Sequence, residues 1–598
     1  MSGGALLLLA VVQLTLTAVP GVAVTLLGVR LGVRNIPVLL CLGLAGTGAL
    51  AMLTFWAYYL VPRAGGPCAY AVLFGSIAAI VWSCPRVSRH RALLRQLSVP
   101  LGLWALAALF IVFFGYLHGG TEYPLVDPSN RFAMQPSLFT GDHYIPLFFS
   151  DWMFAGSHGS PPDFYGWLMS DRPPLQIGYV LTQRIFGWDA NGGHYMMLGI
   201  GLQQFWVVGM WALLTAARVR RRTRSLAMVA ALLSDVAIVN GFFVWPKLLA
   251  ASFVLAALAL LASPGGSPLR RRPLTLVLLG VLVGLTFLSH GTGVFGLIAV
   301  AAVALWRGLP NWRWLCAAAA ATLVLVLPWF AFQHFENPPG DRLIKWSLAG
   351  VVPIDERGAT QTIVDEYGKA GVGGTLDNKF QNFLTMVGGN PFDRPARPGE
   401  PFGDVFTELG DMVSAVAEGK FSVAVSKARE IRYWHLLWTL GLFILALPLI
   451  AFGRWRNHWR DDDDWRFARF SLIACGIGTV AWGLLMFGNT AGRAIVIAAC
   501  LAFPLLAVAG IVAGLRATYP RLVNWFVGAN AITVLLLYVP MVTPTVDNSY
   551  SGFAAIAALA SLAGFVKLAF ASTSSELKDG PVDFRAPMQG PTTEIGVD

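Results

Sequence analysis

Three carboxylates stand in one polar stretch of an otherwise apolar chain. Asp142 and Asp151 lie in FTGDHYIPLFFSDWMFAG and Asp171 in SDRPPLQIGYVLTQRIFG. A carboxylate held beside a hydroxyl accepts its proton or orients it, so each is a candidate general base. Asp142 leads, because the Gly-Asp-His-Tyr turn places it at the start of an aromatic helix; the competing reading is an acidic helix cap. A second set is basic. Lys247 follows the Trp245-Pro246 turn, His290 sits in SHGTG, Arg493 ends FGNTAGR, and Arg342 and Lys345 share one helical turn of NPPGDRLIKWSLAG. Arg grips a phosphate as a fork and Lys as a point charge, while snorkelling toward lipid headgroups is the plainer alternative. The six cysteines form no metal-ligand spacing. No metal set is assigned, a divalent ion staying open.

The elements that must position these groups are membrane helices. Of the 598 residues 56% are hydrophobic and 13% charged, and the mean hydropathy is +0.62. Soluble domains carry roughly 25% charged residues, so a soluble enzyme is excluded. Apolar runs near 4–28, 36–61, 67–84, 98–117, 195–217, 226–243, 246–263, 274–290, 293–306, 314–334, 433–453, 468–488, 491–515, 522–543 and 551–571 predict about fifteen spans. Their small residues, aromatics and interrupting Gly or Pro fit an all-α polytopic fold rather than a barrel.

Charge sets the orientation. Arg86 to Arg95, Arg218 to Arg224 and Arg270 to Arg272 fall in short loops, which predicts a cytoplasmic location for all three. The N-terminus is then outside, and the first span, with no hydrophilic n-region, reads as retained. Two long polar stretches, 118–194 and 335–432, fall on the outer face. They hold 21 Asp and Glu against 14 Lys and Arg, a net of −7, which leaves +18 elsewhere. That excess reads as loop charge at a lipid bilayer, not as a nucleic-acid surface. The expected organisation is 1–97 extra helices, 98–334 a core with the first outer loop, 335–432 a second outer loop or small domain, 433–571 further helices, and 572–598 a mobile cytoplasmic tail. Segment 174–187 is too short to cross and is expected to lie along the interface. The acidic run Asp461 to Asp464 reads as a solvated cytoplasmic loop. Asp235 is predicted within a span, where it is costly and pairs with an Arg or Asn or serves function.

The order of features from the first outer loop onward resembles GT-C integral-membrane glycosyltransferases, nearest the protein O-mannosyltransferase and aminoarabinose-transferase-like branch. The shared pattern is a membrane-proximal acidic residue, a charged residue before Pro-Pro-Leu, a short aromatic amphipathic helix and Phe-Gly; FFVWPKLLAASFVLAALAL and LVGLTFLSHGTGVFGLIAV look like the helix pairs that follow. The resemblance covers roughly 98–334. It departs where many members carry two adjacent acidic residues: here Asp142 precedes His143, and the second carboxylate is Asp151, Asp171 or none.

The resemblance implies an inverting transfer of a sugar from a polyprenyl-phosphate donor to a hydroxyl of a cell-envelope glycan, lipid or protein, at the outer face of the plasma membrane. Asp142, Asp151 or Asp171 would be the base, and Arg342, Lys345, Lys247, Arg493 and His290 would hold the phosphate. Trp152, Tyr165, Trp167 and Trp346 offer faces for sugar stacking, or interface anchors. The sequence shows no phosphate-cradling Gly-rich loop for a nucleotide sugar. The rival readings are a transporter or flippase of polyprenyl-linked glycans and a non-enzymatic envelope-assembly protein.

Overall fold

The computed structural model describes residues 3–118, 142–157, 161–164, 166–187, 193–262, 273–308, 311–388, 405–456, 462–488, 500–539 and 551–575. They form helices, and among them the one β contact is the bridge between Phe164 and Trp167. In chain order these are α1 (Gly3–Arg30), α2 (Ile36–Leu60), α3 (Pro62–Val87), α4 (Arg91–His118), α5 (Ile145–Phe154), α6 (Leu175–Arg184), α7 (Gly193–Gln203), α8 (Trp206–Ala216), α9 (Arg221–Leu232), α10 (Asp235–Phe242), α11 (Lys247–Ala262) and α12 (Pro273–Ser289). There follow α13 (Gly293–Trp306), α14 (Trp312–Ala331), α15 (Arg342–Ala349), α16 (Ala359–Val387), α17 (Val405–Ala417), α18 (Phe421–Trp434), α19 (Ala446–Trp455), α20 (Asp463–Leu485), α21 (Ala502–Thr518), α22 (Leu522–Tyr538) and α23 (Ser551–Ser575).

Nine helices among the described residues are long and apolar enough to cross a membrane, or ten if α9 and α10, bent by 52° at their junction, count as one broken span. Five shorter apolar helices, α11, α12, α13, α21 and α22, occupy the remaining expected segments. The protein is thus an all-helical, multi-span membrane protein, and length alone supports nine or ten of the fifteen expected crossings. The short helix α11 is buried along its whole length. At about 1.5 Å per residue it spans only about 24 Å, and its neighbours, not lipid, cover it.

Local chemistry explains several helix starts. Asn35 accepts from the Val38 N–H at the start of α2, where a proline fills the first turn. Ser234 does the same for Ala237 at the start of α10. The expected solvated loop at Asp461 to Asp464 is corrected for Asp462 to Asp464; Asp461 lies outside the described residues. Asp462 caps α20 by accepting from Trp465 N–H, and Asp464 is fully buried, accepting from Arg220 N–H (2.8 Å) and the Thr223 hydroxyl (2.7 Å). Asp462 to Asp464 therefore form a helix N-terminus, where carboxylates are favoured, docked on the arginine-rich loop.

Two further expectations change. α6 does not present one face outward: Leu175 to Gln183 are buried. Its polar side chains find partners inside, Gln176 donating to Tyr195 and to the Val244 carbonyl, Gln183 bonding Gln13 and Thr17. A Cβ on Gly178 would stand 2.3 Å from the Ala51 carbonyl oxygen, so only glycine lets α6 lie this close to α2. Likewise the second long polar segment does not end cleanly at 432. α18 runs through that boundary, and its Arg432 pairs with Asp235 at 2.7 Å, both buried. Asn530 stands beside them, donating to Leu233 O at the α9–α10 break and accepting from Leu442 N–H and Arg432. Asp235 has the Arg and Asn neighbours expected of a structural carboxylate. α23 extends to Ser575; the rest of the expected tail lies outside the described residues.

Candidate functional site

α11 starts at Lys247 and α12 ends at Ser289, so Trp245, Lys247 and His290 share one end of the bundle, opposite the Arg218 to Arg224 loop. Trp245 organises them. The Lys247 ammonium lies 4.6 Å from its ring centroid, the His290 ring 5.1 Å away edge-on, and the Arg172 guanidinium 5.3 Å away. Arg172 also stacks on Trp167 at 4.0 Å, as does Arg342 from the second long polar segment. Four cationic or ionisable nitrogen groups from four stretches of chain thus gather around two indoles, a geometry that lends each cation the electrostatic attraction of a ring face. The His290 Nδ1 pairs with the Thr292 hydroxyl at 2.9 Å.

Trp167 is held out by a tight turn. Phe164 and Trp167 exchange backbone hydrogen bonds of 2.9 and 3.0 Å, and Asp163 accepts from Gly166 N–H. Arg342 closes the arrangement: it donates to Gly166 O (2.6 Å), Val352 O (2.7 Å) and the Asp171 carboxylate (3.1 Å). The two long polar segments are joined again where Ser170 N–H donates to Asn337 and Gln333 donates to Ser170 O.

The carboxylates fare differently. Asp171 is buried, and its Oδ2 accepts from Leu168 N–H and Arg342 while Oδ1 pairs with no described protein group. Burial raises its pKa, against the Leu168 N–H and the Arg342 and Arg172 charges. Asp151 forms an ion pair with Arg184 of α6 at 2.8 Å and is half exposed. Asp142 opens the short turn Asp142–Tyr144 that runs into α5, as the sequence predicts; its side chain lies outside the described residues. The residue at the cap position of α5 is Tyr144, which makes no side-chain cap bond. Next to Asp142, His143 is buried with neither ring nitrogen bonded to a described group, its imidazole 4.1 Å from the Tyr144 ring and 5.2 Å from that of Phe243. Burial pushes it down to about 3, so it is a neutral imidazole.

Of the expected phosphate ligands, Lys247, His290 and Arg342 come together. Lys345 does other work: buried, it pairs with Asp341 (2.8 Å) and donates to Asp355 O (2.6 Å), tying α15 to the stretch before α16. Arg493 and Tyr165 lie outside the described residues. Neither Trp152 nor Trp346, both half-buried, enters the cluster through a ring contact; the expected stacking role has more claim at Trp167 and Trp245, whose faces meet cations. Sequence reasoning missed Arg172. Its signal was present, a cation directly before Pro173-Pro174 where the outer loop returns to the bundle. No group of three or more His, Cys, Asp and Glu that could hold a metal occurs among the described residues.

What fold and site define together is a polytopic helical membrane protein with a cationic, aromatic-lined site at one end. No protein-family model matches the chain, and no curated protein matches it. In structure the chain is similar to ArnT from Cupriavidus metallidurans, crystallised bound to undecaprenyl phosphate; the TM-score is 0.42, identity is 16%, and the match covers 80% of this chain and 72% of that one. At that identity and score the likeness carries no argument about activity or site residues.

Proposed function

We propose that the protein is a GT-C-like membrane glycosyltransferase that moves a sugar from a polyprenyl-phosphate donor to a hydroxyl of a cell-envelope acceptor, with the site on the outer face of the plasma membrane. The observation that carries this reading is the convergence of Arg172, Lys247, His290 and Arg342 on Trp167 and Trp245. A departing phosphate needs cations fixed before the bond breaks, and indole faces suit both sugar rings and cations. The acceptor hydroxyl attacks the anomeric carbon as the bond from that carbon to the phosphate oxygen breaks, with inversion. The hydroxyl proton passes to a carboxylate, Asp142 first among the three, and the electron pair leaves on the phosphate beside Arg172 and Lys247. His290, held by the Thr292 hydroxyl, serves as a hydrogen-bond partner.

A transporter reading draws on the broken span and on buried Asp235, but that carboxylate is engaged by Arg432 at 2.7 Å. Purified protein incubated with a panel of radiolabelled polyprenyl-phosphate sugars and an envelope extract separates the readings. Label moving to a non-lipid or new lipid product is the expected result. Label that only changes leaflet in proteoliposomes, still on its polyprenyl carrier, overturns it.

A further inference from the structure

At the opposite end of the bundle lies a pocket that the outer site does not use. It has a cavity of about 440 Å³, lined by Ala217 after α8, Ala262 at the end of α11, Trp306 and Arg307 at the end of α13, and by Asp463, Arg466, Phe467, Arg469 and Phe470 on the first turns of α20. That size lies within the roughly 300–1,000 Å³ of small-molecule sites. α11 runs from Lys247 in the outer cluster to Ala262 here, so about 24 Å of helix separates the two.

The lining is cationic: three guanidiniums face one carboxylate. What holds those guanidiniums is weak. Arg466 meets Asp463 only at 3.4 Å, and Arg307 reaches the Ala262 carbonyl only at 3.4 Å, with its Nε buried and bonded to no described group. Arg469 is exposed and makes no hydrogen bond or ion pair among the described residues. Guanidiniums with spare donors, gathered where Trp306 and Phe470 form an apolar wall, suit an anion whose remainder is greasy. The depth agrees. Trp306, Trp312 and Trp455 are all well exposed at this end, as indoles at a headgroup layer are.

We propose that this pocket binds a phosphate group, and specifically the headgroup phosphate of an anionic phospholipid in the leaflet on the Arg218 to Arg224 side. Basic pockets between helix ends on the cytoplasmic side recognise lipid phosphates in this manner. The occupant's phosphate bridges Arg307 on α13 and Arg466 and Arg469 on α20, so its binding fastens two helices that otherwise meet here without an ion pair between their described residues. The pocket stands independently of the glycosyltransferase reading.

The test is lipid retention measured by native mass spectrometry, with thermal stability in nanodiscs as a second readout. The parent, taken from nanodiscs of phosphatidylcholine with added phosphatidylglycerol, should retain phosphatidylglycerol. R469Q should retain it about tenfold less well, and R307Q/R469Q should lose it. Because Arg469 is exposed and unbonded, R469Q decides the matter even if the double variant misfolds. R313Q, an exposed arginine of the same face outside the pocket, should change nothing. Stabilisation by inorganic phosphate in pure phosphatidylcholine nanodiscs, lost in R469Q and without phosphatidylglycerol retention, would keep the phosphate site but assign it a soluble source. Parent-like retention and parent-like phosphate response in R469Q, or equal loss in R313Q, overturns the site.

Discussion

Asp171 and Arg342, 171 positions apart in the chain, form a buried ion pair of 3.1 Å that locks the first long polar segment to the second. Arg342 is therefore a strut as well as a cation near the site. R342A should destabilise the protein by about 3–5 kcal/mol, because it strands a buried carboxylate. D171N, which keeps the shape and a carbonyl for Leu168 N–H, should cost less, and D171N/R342A should be little worse than R342A. Thermal unfolding of the four proteins in detergent provides the cycle; additive losses would mean that the pair is not coupled.

In the proposed reading, donor affinity belongs with Arg172 and Lys247. R172Q and K247M should each weaken binding of a polyprenyl-phosphate sugar by about 10- to 150-fold, the range for a lost charge-assisted hydrogen bond. Microscale thermophoresis with a fluorescent donor reads this directly. Binding equal to the parent in both variants would place phosphate recognition elsewhere, with Arg493 next in line.

Lys247 and His290 were legible because they sit at the ends of apolar runs on the face opposite the arginine loops. Sign and span length suffice to place such residues. The partners that give them meaning were not legible. Contacts such as Arg342 with Gly166, or Gln183 with Gln13, join residues more than a hundred positions apart and leave no local periodicity. Lys345 misled differently: its spacing from Arg342 suggested a shared ligand, but its ammonium turns to nearby Asp341 and the Asp355 carbonyl. α6 misled because its shortness suggested the interface, whereas its glutamines find partners inside the bundle, among them Tyr195, the Val244 carbonyl and Gln13. The helical segments themselves were the easiest to read, since a run of apolar residues is a local signal.

Topology offers a direct check. Cysteine introduced at Ser157 or Gly399 should react with an impermeant maleimide in intact cells, and cysteine at Ser267 only after lysis. Labelling of the Ser267 variant in sealed cells would reverse the faces of both the outer cluster and the phosphate pocket.

Lys379 supplies a pH dependence. Its ammonium donates to Tyr367 and to the Met486 carbonyl past the end of α20, and burial pushes its pKa down to about 8. The unfolded chain holds that proton to a pH of about 10.4. Between those values the unfolded state binds more protons, so stability should rise as pH increases from about 8 to about 10.4 and be flat in this respect below. Melting temperatures of the parent measured against K379M across that window test the sign. A parent that loses stability relative to K379M as pH rises there would contradict the burial of this charge.

The proposed chemistry turns most on Asp142. Asp142→Asn keeps the size and a hydrogen-bonding carbonyl but removes the proton acceptor and the negative charge. With Asp142 as base, turnover should fall by about 10²- to 10⁴-fold while donor affinity stays near the parent value. As a helix cap alone, Asn serves nearly as well, and both activity and stability survive. The position makes the two outcomes separable, since the cap residue of α5 is Tyr144 and not Asp142. D151N and D171N are the internal comparisons. D151N loosens the Arg184 pair on a half-exposed surface and should change turnover little. D171N alters the Arg342 strut, so its effect should appear in stability and donor affinity together rather than in turnover alone. Loss of turnover in D171N with full activity in D142N would move the base to Asp171, whose Oδ1 has no described partner. Full turnover in all three would sink the carboxylate-base mechanism.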